Sequence, residues 1–128
     1  MSPLPLDSYE AVTANLADRE FFGQKLGLER IQALLARLEK PHQKFPSVHI
    51  AGTNGKGSTA AMLASILREA GYRVGLYTSP HLLRFTERIV VAGAELARED
   101  VVTLSARVAR AEAEADLPRV PTFFEHVT

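Results

Sequence analysis

The run His49-Ile50-Ala51-Gly52-Thr53-Asn54-Gly55-Lys56-Gly57-Ser58-Thr59 concentrates the residue types that phosphate chemistry needs. Glycines let a loop curl so that successive backbone N–H groups point inward and make a nest for anionic oxygens. A helix starting directly after such a loop adds unpaired N–H groups and the positive end of its dipole. Lys56 supplies a full charge, and Ser58 or Thr59 a hydroxyl able to meet a magnesium ion. The run departs from the general G-x-x-x-x-G-K-[ST] phosphate loop. That pattern asks for glycine at Ile50 and for serine or threonine at Gly57, whereas here the hydroxyl arrives one residue later, at Ser58. The plain alternative is a glycine-rich turn with a solvated lysine.

Such a loop works only if a strand and a helix hold its two ends. Ser47 to Ala51 reads as a first buried strand, and Thr59 to Ala70 as a helix with Met62, Leu63, Ile66 and Leu67 inward, stopped by Gly71. Arg73 to Thr78 reads as a second strand. Strand, helix and strand over about 30 residues make a βαβ unit, which implies parallel pairing and a right-handed crossover. Ser79-Pro80 ends the second strand. Arg88 to Val91 and Ala94 to Leu96 flank Ala92-Gly93, which predicts a β-hairpin. Asp100 to Ala115 predicts a helix whose Val101, Leu104, Val108, Ala111 and Ala115 share a face.

Upstream, Asp7 and Glu10 resemble a capping box ahead of a short helix bearing Tyr9, Val12 and Leu16. A polar connection with Phe21 and Phe22 follows. Leu28 to Glu39 is amphipathic, with Leu28, Ile31, Leu34, Leu35 and Leu38 on one face. Pro41 and Pro46 bracket a linker. The division expected is a helical segment over 1–46 and a partial nucleotide-binding α/β domain over 47–128. Two parallel strands are too few to cover their own faces, and the helix opening at Thr122 stops within a turn. The chain therefore reads as the N-terminal piece of a longer protein.

Composition bounds the partners. The 128 residues are 46% apolar and 23% charged, with 15 basic against 15 acidic side chains and no cysteine. A zero net charge gives no field for nucleic acid or an anionic membrane. Disulfides and thiolate metal sites are excluded. Met1 to Asp7 shows no basic region followed by an apolar run and no apolar stretch reaches membrane length, so no signal peptide and a cytoplasmic protein are expected.

G-T-N-G-K-G-S (Gly52 to Ser58) resembles the loop of the Mur ligase superfamily, and within it the folate branch of folylpolyglutamate and dihydrofolate synthases. F-G-Q-K-L-G-L-E-R-I (Phe22 to Ile31), T-S-P-H-L-L-R-F-T-E-R-I (Thr78 to Ile89) and P-T-F-F-E (Pro121 to Glu125) are similar to further stretches of that branch. The resemblance implies an α/β fold: a P-loop-containing, three-layer α/β/α nucleotide-binding domain with a parallel sheet, incomplete here. It also implies an ATP- and Mg2+-dependent ligase, monomeric at full length. Such a ligase activates the carboxylate of a dihydropteroate, folate or tetrahydrofolate as an acyl phosphate and joins it to L-glutamate. Gly52, Thr53, Asn54, Gly55, Lys56, Gly57 and Ser58 would wrap the triphosphate, with Lys56 countering charge on the phosphoryl group in transfer. Ser79 and Glu125 match the positions that hold magnesium. His81, Arg84 and Arg88 would face the pterin substrate, the arginines meeting its anionic groups.

Each assignment has a structural rival. Ser79-Pro80 can be a turn at a strand end, Glu125 can complete a capping box with Thr122, and Arg84 and Arg88 can form a solvated charge cluster with Glu87. His42, His49, His81 and His126 lack ligand spacing. At the level of function, the rivals are a cell-wall Mur-type ligase and a nucleotide-binding fragment without turnover.

Overall fold

The computed structural model describes residues 7–20, 27–117 and 119–128. Phe21, Phe22 and most of the F-G-Q-K-L-G stretch lie outside them. The helices are α1 (Tyr9–Glu20), α2 (Glu29–Arg37), α3 (Lys56–Glu69), α4 (Arg98–Glu114) and α5 (Phe123–Val127). The strands are β1 (Gly75–Tyr77), β2 (Ile89–Val91) and β3 (Ala94–Glu95). The chain divides into two compact units, one of Met1–Pro46 with Glu99–Thr128 and one of Ser47–Arg98.

The first unit is helical. Ser8, not Asp7, caps α1, its hydroxyl accepting from the Ala11 N–H at 3.1 Å. A cap must precede the first helical residue, and that residue is Tyr9. Val12 and Leu16, one turn apart, are buried, as are Leu34 of α2, Val101, Ser105 and Ala111 of α4, and Phe123 of α5. Removing each of the larger apolar side chains from water contributes roughly 1.5–3 kcal/mol. The α4 face differs from the periodic expectation, because Ser105 is buried and Leu104 is exposed. Ser105 takes the inner position because a hydrogen bond to His126 satisfies its hydroxyl there.

The second unit is α/β, with α3 against β1. Its sheet has the order β1-β2-β3 and is antiparallel throughout, with Leu76 opposite Val90 and Val91 opposite Ala94. The expected hairpin is present. Ala92 and Gly93 turn it with φ of 52° and 88°, the two positive values that match the strand twist. The parallel βαβ pairing is not formed. Ser47–Ala51 forms no strand: it is exposed but for the half-buried Ile50 and pairs with none of the three strands, so β1 is an edge of the sheet, bonded to β2 alone. For the same reason the α3 face differs: Leu63 and Leu67 are half-buried, but Met62 is 60% and Ile66 64% exposed. The result is a small α/β arrangement consistent with an incomplete domain.

Candidate functional site

The glycine-rich run leads directly into α3. Gly55 is the N-cap, at φ 75° and ψ 9°. A Cβ there would meet nothing within 4 Å, so the dihedral alone favours glycine. This cap offers no side-chain acceptor, and no acidic residue stands in the first turn. The Thr59 N–H donates to the Gly55 carbonyl at 2.9 Å, which leaves the N–H groups of Lys56, Gly57 and Ser58 without an intrahelical acceptor. Helix starts favour anions, yet α3 places a lysine there. Its ammonium folds back on the Gly52 carbonyl. Gly52 to Ser58 is exposed throughout, and the Ser58 hydroxyl has no hydrogen-bond partner among the described residues. The N-terminus of α3 is thus short of negative charge and open to solvent, an environment that favours an anion.

Beyond β1 the chain turns at Ser79-Pro80, a cis peptide. Ser79 is exposed, and its hydroxyl too lacks a partner among the described residues. The next residues form a clamped loop. Glu87 accepts the N–H groups of Leu82, Leu83 and Arg84 at 3.0, 3.1 and 2.9 Å. These backbone bonds, that of Leu82 foremost, hold its carboxyl below the ordinary 4.5. Arg84 donates to Glu95 at 2.7 and 3.4 Å, and Thr86 Oγ1 donates to the same carboxylate at 2.8 Å. The Glu95 carboxyl is therefore also lowered, by Arg84 first and Thr86 second. The clamp points Leu82 and Leu83 outward, 89% and 82% exposed.

The three residues expected to face a substrate occupy different environments. Arg84 is half-exposed and already paired with Glu95 and, at 3.9 Å, with Glu87. Arg88 is only 5% exposed, donating from Nε to His81 Nδ1 at 2.8 Å. His81 is half-buried, edge-on to Phe85. The resemblance of T-S-P-H-L-L-R-F-T-E-R-I to the folate branch marked the arginines in the sequence. It carried no sign that one would be countered by a carboxylate from β3 and the other turned inward.

Glu125 belongs to the helical unit. Thr122 caps α5 by accepting the Glu125 N–H at 3.2 Å, and the Glu125 carboxylate accepts the Thr122 N–H at 2.9 Å. The capping box legible in T-F-F-E is therefore real. Arg30 of α2 also reaches this carboxylate, at 3.2 and 3.3 Å, an ion pair that no local pattern announced. Among the described residues, no cluster of three or more His, Asp or Glu side chains could hold a metal by itself.

His126 resolves as part of a buried brace. Glu112 receives Arg19 bidentately at 2.8 and 3.2 Å, and its Oε1 lies 2.5 Å from His126 Nδ1. Ser105 Oγ lies 2.9 Å from His126 Nε2. Serine, histidine and carboxylate thus stand in the order of an acyl-transfer triad. Ser105 is nevertheless 7% exposed in the middle of α4, where helix bonds consume the neighbouring N–H groups that an oxyanion would need. The array ties α1, α4 and α5 together and has no access for a substrate.

Comparison with known proteins follows the same lines as the motifs. No protein-family model matches the chain. It is 45% identical over 97 residues to the dihydrofolate synthase/folylpolyglutamate synthase of Bacillus subtilis, covering 76% of this chain and 23% of that protein. It superposes on folylpolyglutamate synthetase from Lactobacillus casei with a TM-score of 0.83 at 34% identity, covering 94% of this chain and 31% of that one. It is also similar to Escherichia coli FolC in complex with ADP, with a TM-score of 0.77 at 36% identity, covering 98% of this chain and 29% of that one. The chain therefore spans about a quarter of the length of these relatives.

Proposed function

The chain belongs to the folylpolyglutamate/dihydrofolate synthase family, and on that premise we propose that it carries the ATP-binding part of an ATP-dependent carboxylate–amine ligase. The observation that carries this is the N-terminus of α3, uncapped by any side chain and free of acid, beneath G-T-N-G-K-G-S. In the proposed reaction a pteroate or folyl carboxylate oxygen attacks the γ-phosphorus of ATP, releasing ADP and giving an acyl phosphate. The amine of L-glutamate then attacks the acyl carbon, an amide forms as inorganic phosphate leaves, and the amine gives up a proton. Gly52 to Ser58 hold the phosphates. Lys56 leaves the Gly52 carbonyl to meet the transferring group, whose charge it neutralises.

Magnesium suits the oxygen donors present. The hydroxyls of Ser58 and Ser79 are hard ligands, exposed and unpartnered among the described residues. When bound, the ion supplies charge neutralisation on the phosphate oxygens. Glu125 is proposed as a carboxylate ligand on its motif position, a role that requires it to release Arg30. His81 and the half-exposed Arg84 are proposed to meet the pterin substrate, with Arg88 acting from behind His81. A cytoplasmic location and a monomeric full-length enzyme complete the reading. For these 128 residues by themselves we favour nucleotide binding without turnover, because they span about a quarter of the family's length.

Calorimetric titration of MgATP into this chain and into Lys56→Ala tests the reading. Saturable binding by the wild type that disappears in the variant is expected. A folded wild type that binds no MgATP overturns nucleotide binding by the chain.

A further inference from the structure

We propose that Arg88 is a positioning residue that fixes the tautomer of His81, so that the ring presents Nε2–H as a hydrogen-bond donor to an acceptor oxygen of the substrate. The inference rests on reading the His81–Arg88 loop as substrate-facing. Arg88 Nε donates to His81 Nδ1 at 2.8 Å. A guanidinium has no acceptor atom and keeps its protons in proteins, so Nδ1 must offer the lone pair. The hydrogen of the neutral ring then resides on Nε2. Arg88 is 5% exposed, with its guanidinium carbon 5.9 Å from the centroid of the Phe85 ring, so it holds this orientation from inside the loop. The imidazole is also fixed laterally by Phe85, edge-on at 6.2 Å between centroids. The backbone just after it is pinned by the three N–H bonds into Glu87.

Nε2 has no protein partner among the described residues, although the ring is half-buried. A donor that is aimed, partly withdrawn from water and unpaired is completed by an acceptor from outside. A neutral N–H accepts a carboxylate or carbonyl oxygen by direction rather than by net charge. Arg84, already countered by Glu95, adds little unbalanced charge beside it. Arg88 therefore serves the substrate through His81 and not by touching it.

Histidine-labelled chain in a long-range 1H–15N experiment reads the tautomer directly, with His81→Gln identifying the signals. The expected wild-type spectrum has a lone pair on Nδ1 and hydrogen on Nε2, and Arg88→Met is expected to release a mixture of both tautomers. If Arg88→Met does not fold, the wild-type spectrum decides alone, and hydrogen on Nδ1 there overturns the proposal. Dihydropteroate added to the same sample is expected to move the Nε2 signal. Its affinity should survive in His81→Gln, whose amide reaches the Nε2 position, and fall roughly tenfold in His81→Asn. Binding that leaves the Nε2 signal unmoved overturns the donor role. A correct tautomer with no dihydropteroate binding instead overturns the substrate reading of the loop and leaves the Arg88 lock standing.

Discussion

At the scale of single residues, buried polar groups do more here than their sequence neighbours suggest. Glu112 is the clearest case. Burial alone would push its carboxyl up, and it is the largest single influence. The hydrogen bonds and charges of His126 and Arg19 together outweigh it and hold the group below the ordinary 4.5. A carboxyl depressed on folding contributes stability that is complete above the unfolded pKa and is lost as pH falls through the folded one. Glu112→Gln should therefore lower stability most above pH 4.5, by roughly 3 kcal/mol, because Arg19 is left buried with its charge uncompensated. The gap between wild type and variant should close on acidification. Urea midpoints measured across the acid range check both sign and window, and a gap that widened toward low pH would contradict the assignment. None of this brace was legible beforehand. Arg19, Ser105, Glu112 and His126 each look like an ordinary surface residue in the sequence, and only long-range packing makes them partners.

At the scale of elements, local signals were read well and pairing signals poorly, for a physical reason. The helices, the Thr122–Glu125 box and the Ala92–Gly93 turn depend on residues a few positions apart, and all are present, although Ser8 rather than Asp7 caps α1 and the α3 and α4 faces shift. The strand expected at Ser47–Ala51 depends on a neighbour the sequence pattern does not specify, and it stays unpaired. The proposed phosphate loop is legible for the opposite reason, since in that reading its glycines answer to a ligand as much as to the fold. Gly57 separates those two demands. It sits inside α3, and an added Cβ would meet nothing within 4 Å. Gly57→Ala should then stabilise the free chain by about 0.4–1 kcal/mol, because alanine fits the backbone there and restricts the unfolded chain. The same change should weaken MgATP binding by about tenfold, close to 1.4 kcal/mol, if a phosphate approaches that backbone closely. Thermal melting and calorimetry on one sample decide it. A variant both more stable and equally good at binding would show that the phosphate keeps its distance.

At the scale of the whole molecule, the apolar core is distributed unequally. Val12, Leu16, Leu34, Val101, Ala111 and Phe123 are buried in the helical unit. In the Ser47–Arg98 unit Phe85 is the buried apolar side chain among the described residues. Local opening is cheap where few apolar contacts resist it. Hydrogen exchange should therefore be slow in the middle of α1 and α4 and fast in α3 and the three strands. MgATP should slow the α3 amides first, because a ligand that binds only the closed form stabilises it by mass action. Uniform protection across both units would contradict this ranking. The unit with the core is also the one whose sequence is split, its parts lying on either side of Ser47–Arg98. Arg19 and Glu112 are 93 residues apart. At about 5–20 residues per second of synthesis, the arginine waits on the order of ten seconds for its carboxylate. The continuous Ser47–Arg98 segment thus leaves the ribosome whole while the better-packed helices are still half made, so the order of birth runs opposite to the order of stability.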